Sequence, residues 1–492
     1  MHAAHKTGPG EGLRPALAVV LGVTLLRVVV LAVNDIDLYV DEAQYWLWGQ
    51  RLDFGYYSKP PLIGWVIRAV TELAGSDAVF WVRLPAPLCH GLTAVILGRA
   101  AGELAGPRAA FWAAVSYVTL PMTAVGGLLI TTDTILAPFY AGALLCYLRL
   151  LRGASQRDAL LAGLLLGFGF LAKYAAIYLL GTAALAAIFV PAARPGWRAA
   201  ALMLVGFVLV AAPNVVWNLT HDLTTVAHTM DNIEWVRSDE SAGPILHWDE
   251  LGSFFLSQFG VFGPVMMGAL LIAAVRGRTP VLRSLVWLSL PVVALICVQA
   301  LLARAYENWA VTAYYPGLLA AVLFLLDRRR WLVASFAVNG ALCLTVAVLS
   351  LFPAAVRPGG EPLLRRYIGA DEMTQQILSV AVETGAGAIV ADHRGILADL
   401  FYTGRDSTIP VFAPVPQGRA ANYYEKHFPL PVGAYDRVLY IDRPGNLVCD
   451  GMPTPDPVAE FDTSAGAYIR TRLQAWIVAP ECQDELGLNP RF

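Results

Sequence analysis

Charged side chains are scarce in this chain: 15% of its 492 residues are Asp, Glu, Lys or Arg, against 57% hydrophobic. With a mean hydropathy of +0.57, that scarcity excludes a soluble globular protein and makes the chain a membrane protein. Net charge is nearly absent too, at −2, so no global field draws it to nucleic acid or to a strongly acidic partner. There is no repeat of fixed period and no low-complexity segment. No A-x-A-like cleavage site follows the first apolar run, 15–33, which is long for a signal peptide and reads as a retained span. Cysteine is limited to six residues. Cys89, Cys146, Cys297 and Cys343 fall in apolar runs, where a thiol behaves as a small hydrophobe. Cys449 and Cys482 lie in a polar tail and could pair if that tail faces an oxidising compartment. The spacing of His221, Asp222, His228 and Asp231 matches no compact zinc pattern, so surface histidines are expected there and no metal site is read.

What the chain does have is apolar runs of about 20 residues, each long enough to cross about 30 Å of hydrocarbon as a helix. After the first they fall near 79–98, 109–130, 132–151, 159–172, 174–193, 199–217, 253–275, 281–303, 309–326 and 331–353. The expectation is an all-α polytopic body of about 11 to 13 transmembrane helices. Basic residues in short loops collect on the cytoplasmic side. With the N-terminus in the cytoplasm, Arg99 and Arg108, then Arg149, Arg152 and Arg157, then Arg194 and Arg198 fall inside. So do Arg276, Arg278 and Arg283, and then Arg328, Arg329 and Arg330. The same accounting puts the loops 35–78 and 218–252 and the tail 354–492 outside, leaving 1–353 as the membrane domain. The tail carries an amphipathic helix near 371–384 and short β-type runs at 388–392 and 437–442, which predict a small α/β domain.

The outer stretch 37–62 is the densest in chemistry. Asp41 and Glu42 open a helical pattern with interfacial aromatics; the bland reading is acids at a helix start, favoured by the macrodipole. Lys59 precedes Pro60 and Pro61 at the foot of the next apolar helix, where a helix N-terminus and a lysine make an anion site, or where the lysine snorkels to headgroups. Asp133, in ITTDTIL, is costly at the edge of a span unless it has a partner, although it could simply cap that helix. Lys173 sits at an outer junction against the positive-inside bias, unless the boundary lies elsewhere. Arg304, Glu307 and Asn308 share a further outer loop, where Arg304 and Glu307 have the spacing of a helical ion pair.

Taken in order, DEAQYW, YYSKPPL, WVRLP, TTDT and GFLAKY resemble the C-type-fold membrane glycosyltransferases. More narrowly the resemblance is to glycosyltransferase family 39, with the lipid A aminoarabinose transferases and relatives of protein O-mannosyltransferases. It covers about the first 350 residues, the tail being too variable to help. It implies inverting transfer of a sugar from a polyprenyl-phosphate donor at the outer face of a bacterial inner membrane. By position, Asp41 matches the family's key carboxylate, Asp133 a second acidic position, and Lys59 the KPP lysine that contacts the donor phosphate. Ser58 stands where aminoarabinose transferases have Glu, so the donor sugar need not be aminoarabinose.

Chemically, inverting transfer needs a carboxylate beside the attacking oxygen and cations on the leaving phosphate. The catalytic candidates are therefore Asp41, Glu42 and Asp133, and the donor-phosphate candidates are Tyr57, Lys59, Lys173 and Arg304. No cofactor is called for, while a divalent ion stays open. The acceptor expected is lipid A or the lipopolysaccharide core; the alternatives are a protein hydroxyl and, from another class, a secondary transporter. Transporters place charge near the midplane and show repeated halves, whereas here the charges gather on one face.

Overall fold

The computed structural model describes residues 12–153, 155–233, 246–449, 453–464 and 466–487. Two compact units emerge, and the chain passes between them more than once: 1–33 and 53–348 form the first, 34–52 and 349–492 the second.

The first unit is helical. It begins with α1 (Leu13–Val33) and, after α2 (Val40–Gly49) has been contributed to the second unit, resumes with α3 (Leu62–Ala74), α4 (Val79–Arg83) and α5 (Pro85–Ala105). The run 109–130 does not form one helix. Pro121 lacks the N–H that would continue it, so α6 (Pro107–Thr119) ends and the short α7 (Pro121–Gly126) begins. Next come α8 (Thr132–Leu150) and α9 (Gln156–Ala172), then a break at Lys173 before α10 (Tyr178–Phe189). The remainder is α11 (Trp197–Thr220), α12 (Thr224–Ile233), α13 (Trp248–Phe262), α14 (Pro264–Arg276), α15 (Pro280–Leu302), α16 (Tyr314–Leu325) and α17 (Arg329–Leu351).

Among the described residues six helical segments are long and apolar enough to cross a membrane, or seven if α13 and α14, bent by 111° at Gly263, count as one. The chain is a multi-pass membrane protein. Small residues let its helices approach closely: a Cβ on Gly163 of α9 would overlap the Met203 carbonyl oxygen of α11, and one on Gly206 would come within 2.7 Å of the Leu160 carbonyl oxygen. The bundle centre is aromatic, with Tyr117, Tyr140, Tyr314 and Tyr315 fully buried. The Tyr314 hydroxyl donates to Gln258 at 2.7 Å.

The second unit is α/β. Its five strands, β1 (Ala388–Ala391), β2 (Val411–Phe412), β3 (Val438–Asp442), β4 (Ala459–Glu460) and β5 (Gln474–Val478), run in the order β2-β1-β3-β5-β4. The pairs of β1 with β2 and with β3 are parallel, in the latter case with Ile389 opposite Leu439; those of β5 with β3 and β4 are antiparallel. Both faces of β1 and β3 are buried, which is why AIVA and VLYID read as nearly unbroken apolar runs. The helices are α18 (Ala370–Glu383), which buries Met373, Ile377 and Ala381, α19 (Arg394–Tyr402) and α20 (Tyr423–His427). Cys449 and Cys482 are joined by a disulfide with Cα atoms 5.4 Å apart, within the sheet's core.

Residues 34–52 are stitched into this second unit. The Asp37 amide donates to the Tyr367 carbonyl, and the Asp37 carboxylate accepts from the Ala370 amide, both at 2.8 Å. That places a negative charge at the N-terminus of α18, where the macrodipole favours it. Along α2, the Trp46 ring meets Tyr402 edge-on at 5.1 Å, and Trp48 meets Tyr423 at 5.9 Å.

Candidate active site

Within the first unit, Asp133 and Lys173 are partners. Asp133 lies in the first turn of α8, whose N-cap is Thr131, the side chain of which accepts from the Thr134 amide at 3.2 Å. Capping is therefore done by the threonine and leaves the Asp133 carboxylate for other contacts. Lys173, in extended backbone at the break between α9 and the 3₁₀ turn Tyr174–Ile177, donates to both Asp133 oxygens at 2.8 Å. Asn308 donates to the Asp133 Oδ2 at 3.0 Å. Three elements thus converge on one carboxylate, and the pair is mostly shielded, with 15% and 17% of its side chains exposed.

Next to Lys173, the Tyr174 hydroxyl donates to Asn214 at 3.0 Å and accepts from Asn218 at 3.1 Å. Asn214 in turn donates to the Phe54 carbonyl at 2.6 Å, and Thr225 donates to the Tyr56 carbonyl, also at 2.6 Å. These bonds hold the loop 53–61, which carries Tyr57 and Lys59. A turn closes it where the Tyr56 amide donates to the Lys59 carbonyl at 3.2 Å. Tyr57 is buried with its ring 5.1 Å from His228, and Lys59 is half-buried two residues before Pro61, the N-cap of α3. The Asp133 and Lys173 pair and the Lys59 loop are thus linked through Tyr174 and Asn214. Sequence reasoning missed Asn214 and Asn218, although two amides inside the apolar run APNVVWNL were a legible signal.

Arg304 is exposed, with its guanidinium 4.9 Å from the Tyr306 ring centroid rather than paired with Glu307. His221 is exposed, stacks on Trp217 at 4.3 Å and donates through Nδ1 to the Trp217 carbonyl at 2.8 Å, whereas His228, expected at the surface, is half-buried against Tyr57.

In the second unit Glu42 and Asp41, neighbours in sequence, diverge. Glu42 is buried, and its carboxylate accepts from the Tyr39 amide at 3.0 Å, tying the first turn of α2 together. Asp41 is partly exposed and accepts from Arg394 of α19 at 2.5 Å; Arg394 also donates through Nε to Gln44 at 3.0 Å. Nothing in the sequence around Arg394 singled it out.

The sequence profile for dolichyl-phosphate-mannose-protein mannosyltransferases matches residues 58–217. Over 482 residues the chain is 41% identical to the lipid A galacturonosyltransferase RgtD of Rhizobium johnstonii, covering 95% of this chain and 99% of that one. The lipopolysaccharide core galacturonosyltransferase RgtB of the same organism is 29% identical over 204 residues, 39% of this chain and 40% of its own. Among solved structures, ArnT from Cupriavidus metallidurans bound to undecaprenyl phosphate superposes with a TM-score of 0.66 at 16% identity, over 95% of this chain and 98% of that one. The chain belongs to the C-type-fold membrane glycosyltransferases, in the family of that lipid A galacturonosyltransferase, and it is a glycosyltransferase.

Proposed function

We propose that the protein transfers a galacturonosyl residue from a polyprenyl-phosphate donor to lipid A at the outer face of the bacterial inner membrane. The observation that carries this reading is the likeness to the Rhizobium lipid A galacturonosyltransferase along essentially its whole length. The polyprenyl donor is supported by the undecaprenyl phosphate in the ArnT of matching fold. Membership of a glycosyltransferase family removes the transporter alternative.

The reaction needs charge in two places. As the acceptor oxygen attacks the anomeric carbon, the bond to the phosphate oxygen breaks and its electron pair leaves with the polyprenyl phosphate. That phosphate gains negative charge, which a cation stabilises. Lys59 serves this role, supported by its place before Pro61 and the N-terminus of α3. Lys173, with two N–H bonds committed to Asp133, retains one for the donor. Arg304 and Tyr57 border the donor. Asp41 receives the proton of an acceptor hydroxyl; an acceptor phosphate, already ionised near neutral pH, would need only orienting. Glu42 acts by fixing the helix that bears Asp41. Ser58 fits a uronic acid, because a Glu there would set a second carboxylate near that of the sugar.

The N-terminus lies in the cytoplasm and the tail outside, as the basic loops suggest. The disulfide in the tail supports the same side. The expected 11 to 13 spans remain part of this proposal, supported by one shorter apolar segment, Tyr174–Phe189, beside the six or seven long ones.

Mass spectrometry of lipid A from cells with and without the gene tests the reading. A hexuronate increment should appear only when the protein is present and should vanish with Asp41→Asn at normal protein levels. An unchanged lipid spectrum, with label from the donor partitioning into protein, would instead favour the protein-acceptor alternative.

A further inference from the structure

We infer that Arg394, in the tail, is a positioning residue for transfer: it holds the Asp41 carboxylate with one oxygen engaged and the other turned to the acceptor. This rests on the reading of Asp41 as the group that serves the acceptor oxygen. An ion pair whose side chains are 42% and 44% exposed would ordinarily be a surface contact of little consequence. Three observations set this one apart.

The first is geometry. Arg394 does not reach Asp41 with a loose side chain, because its Nε is bonded to Gln44 Oε1 at 3.0 Å while Nη2 meets Asp41 Oδ1 at 2.5 Å. Asp41 and Gln44 are three residues apart, hence on one face of α2, and the planar guanidinium spans that face as a rigid fork. The second is burial. Gln44 is 2% exposed, so the end of the fork that sets its angle is fixed in the interior of the unit. The third is the seating of the helix that carries it. Arg394 is the first residue of α19, and a Cβ on the neighbouring Gly395 would lie 3.7 Å from the Val40 side chain. About two turns on, Tyr402 packs edge-on to Trp46. Helix α19 is therefore registered against α2 at both ends. A carboxylate free to rotate would present its acceptor-side oxygen only part of the time; with Oδ1 anchored, Oδ2 keeps one direction.

The test compares Arg394→Gln, Arg394→Lys and Asp41→Asn in the full-length protein, purified in detergent and assayed with polyprenyl-phosphate galacturonate and lipid A. Arg394→Gln should lower kcat about 10- to 100-fold with the donor KM changed less than about threefold. Added guanidinium should restore part of the rate, whereas Arg394→Lys, lacking the fork, should restore little. In the Asp41→Asn background, followed over long incubations, Arg394→Gln should have no further effect. An Arg394→Gln rate within twofold of wild type, a loss matched by a lower unfolding temperature, or an additive loss in the Asp41→Asn background would each overturn the inference. An Asp41→Asn variant with wild-type activity would overturn the reading of Asp41 itself, a separate failure.

Discussion

At the residue scale, the Asp133 and Lys173 pair shows how a charge at the end of an apolar helix is made tolerable. Each alone would be an uncompensated, mostly shielded charge, and removing one partner of such a pair costs about 3–5 kcal/mol or forces the other to neutralise. Lys173→Met should therefore do more than delete a donor contact: it should leave the Asp133 carboxylate beside Asn308 with no cation. We expect transfer to fall at least about 100-fold and the detergent-solubilised protein to unfold several degrees earlier. The double variant Asp133→Asn, Lys173→Met, which removes both charges, should recover most of the lost stability and none of the activity. Thermal unfolding and transfer assays on the three proteins separate the two contributions; recovery of activity in the double variant would show that the pair is structural only.

Both members of that pair were legible from sequence because an ionisable group in an apolar run stands out against its neighbours. Arg394 was not legible, for the opposite reason. It lies in a polar tail where arginine is ordinary, 353 positions from its partner, and only folding brings the two together. Glu42 illustrates a third case. Adjacent acids look equivalent in a sequence, yet successive helical positions point about 100° apart, so one is buried against its own helix start and the other is partly exposed.

Among the elements, α19 carries a second ionisable group whose setting makes a measurable claim. Asp399 is buried and accepts a hydrogen bond from the Tyr468 hydroxyl. Burial pushes its pKa up to about 7; the charge of Asp37 adds to the rise and the Tyr468 bond opposes it. Because the folded pKa lies above the unfolded value near 4, the folded protein binds more protons between those values. Its contribution to stability is thus complete below about pH 4 and is lost as pH rises towards 7. At 1.36 kcal/mol per unit the window is worth up to about 4 kcal/mol. His393, held low by burial and by the charge of Arg443, acts in the opposite direction, losing stability as pH falls. Comparing Asp399→Asn with wild type isolates the Asp399 contribution. The variant should be the more stable at pH 7.5, with the advantage shrinking steadily towards pH 5, as followed by thermal unfolding of the full-length protein. A constant difference across that range would show that Asp399 does not titrate there.

The boundaries of elements were legible where a local rule set them and obscure where two rules competed. Helix α18 and strands β1 and β3 fall where periodicity put them, since each has a clean apolar pattern. The run 109–130 reads as one span on hydropathy alone, but Pro121 outweighs hydropathy and divides it. The break at Lys173 works similarly: leaving the helix is what lets its ammonium reach Asp133.

At the scale of the whole molecule, the notable feature is that the DEAQYW segment is folded into the unit that contains the tail, although the first span immediately precedes it in the chain. The tail is then more than an appendage, and its integrity should matter to transfer. The disulfide between Cys449 and Cys482 closes a loop across 33 positions, which chain entropy values at about 3–4 kcal/mol. Replacing both cysteines with serine should lower the unfolding temperature of the tail and, through α19 and α2, reduce transfer severalfold at growth temperature while sparing it in the cold. The same cysteines report sidedness, because a disulfide persists only in an oxidising compartment. In intact cells blocked for oxidation outside the inner membrane, both thiols should become alkylatable, whereas Cys146 in the core of α8 should remain unlabelled throughout. Free thiols at 449 and 482 in normally oxidising cells would place the tail in the cytoplasm and reverse the orientation inferred from the basic loops.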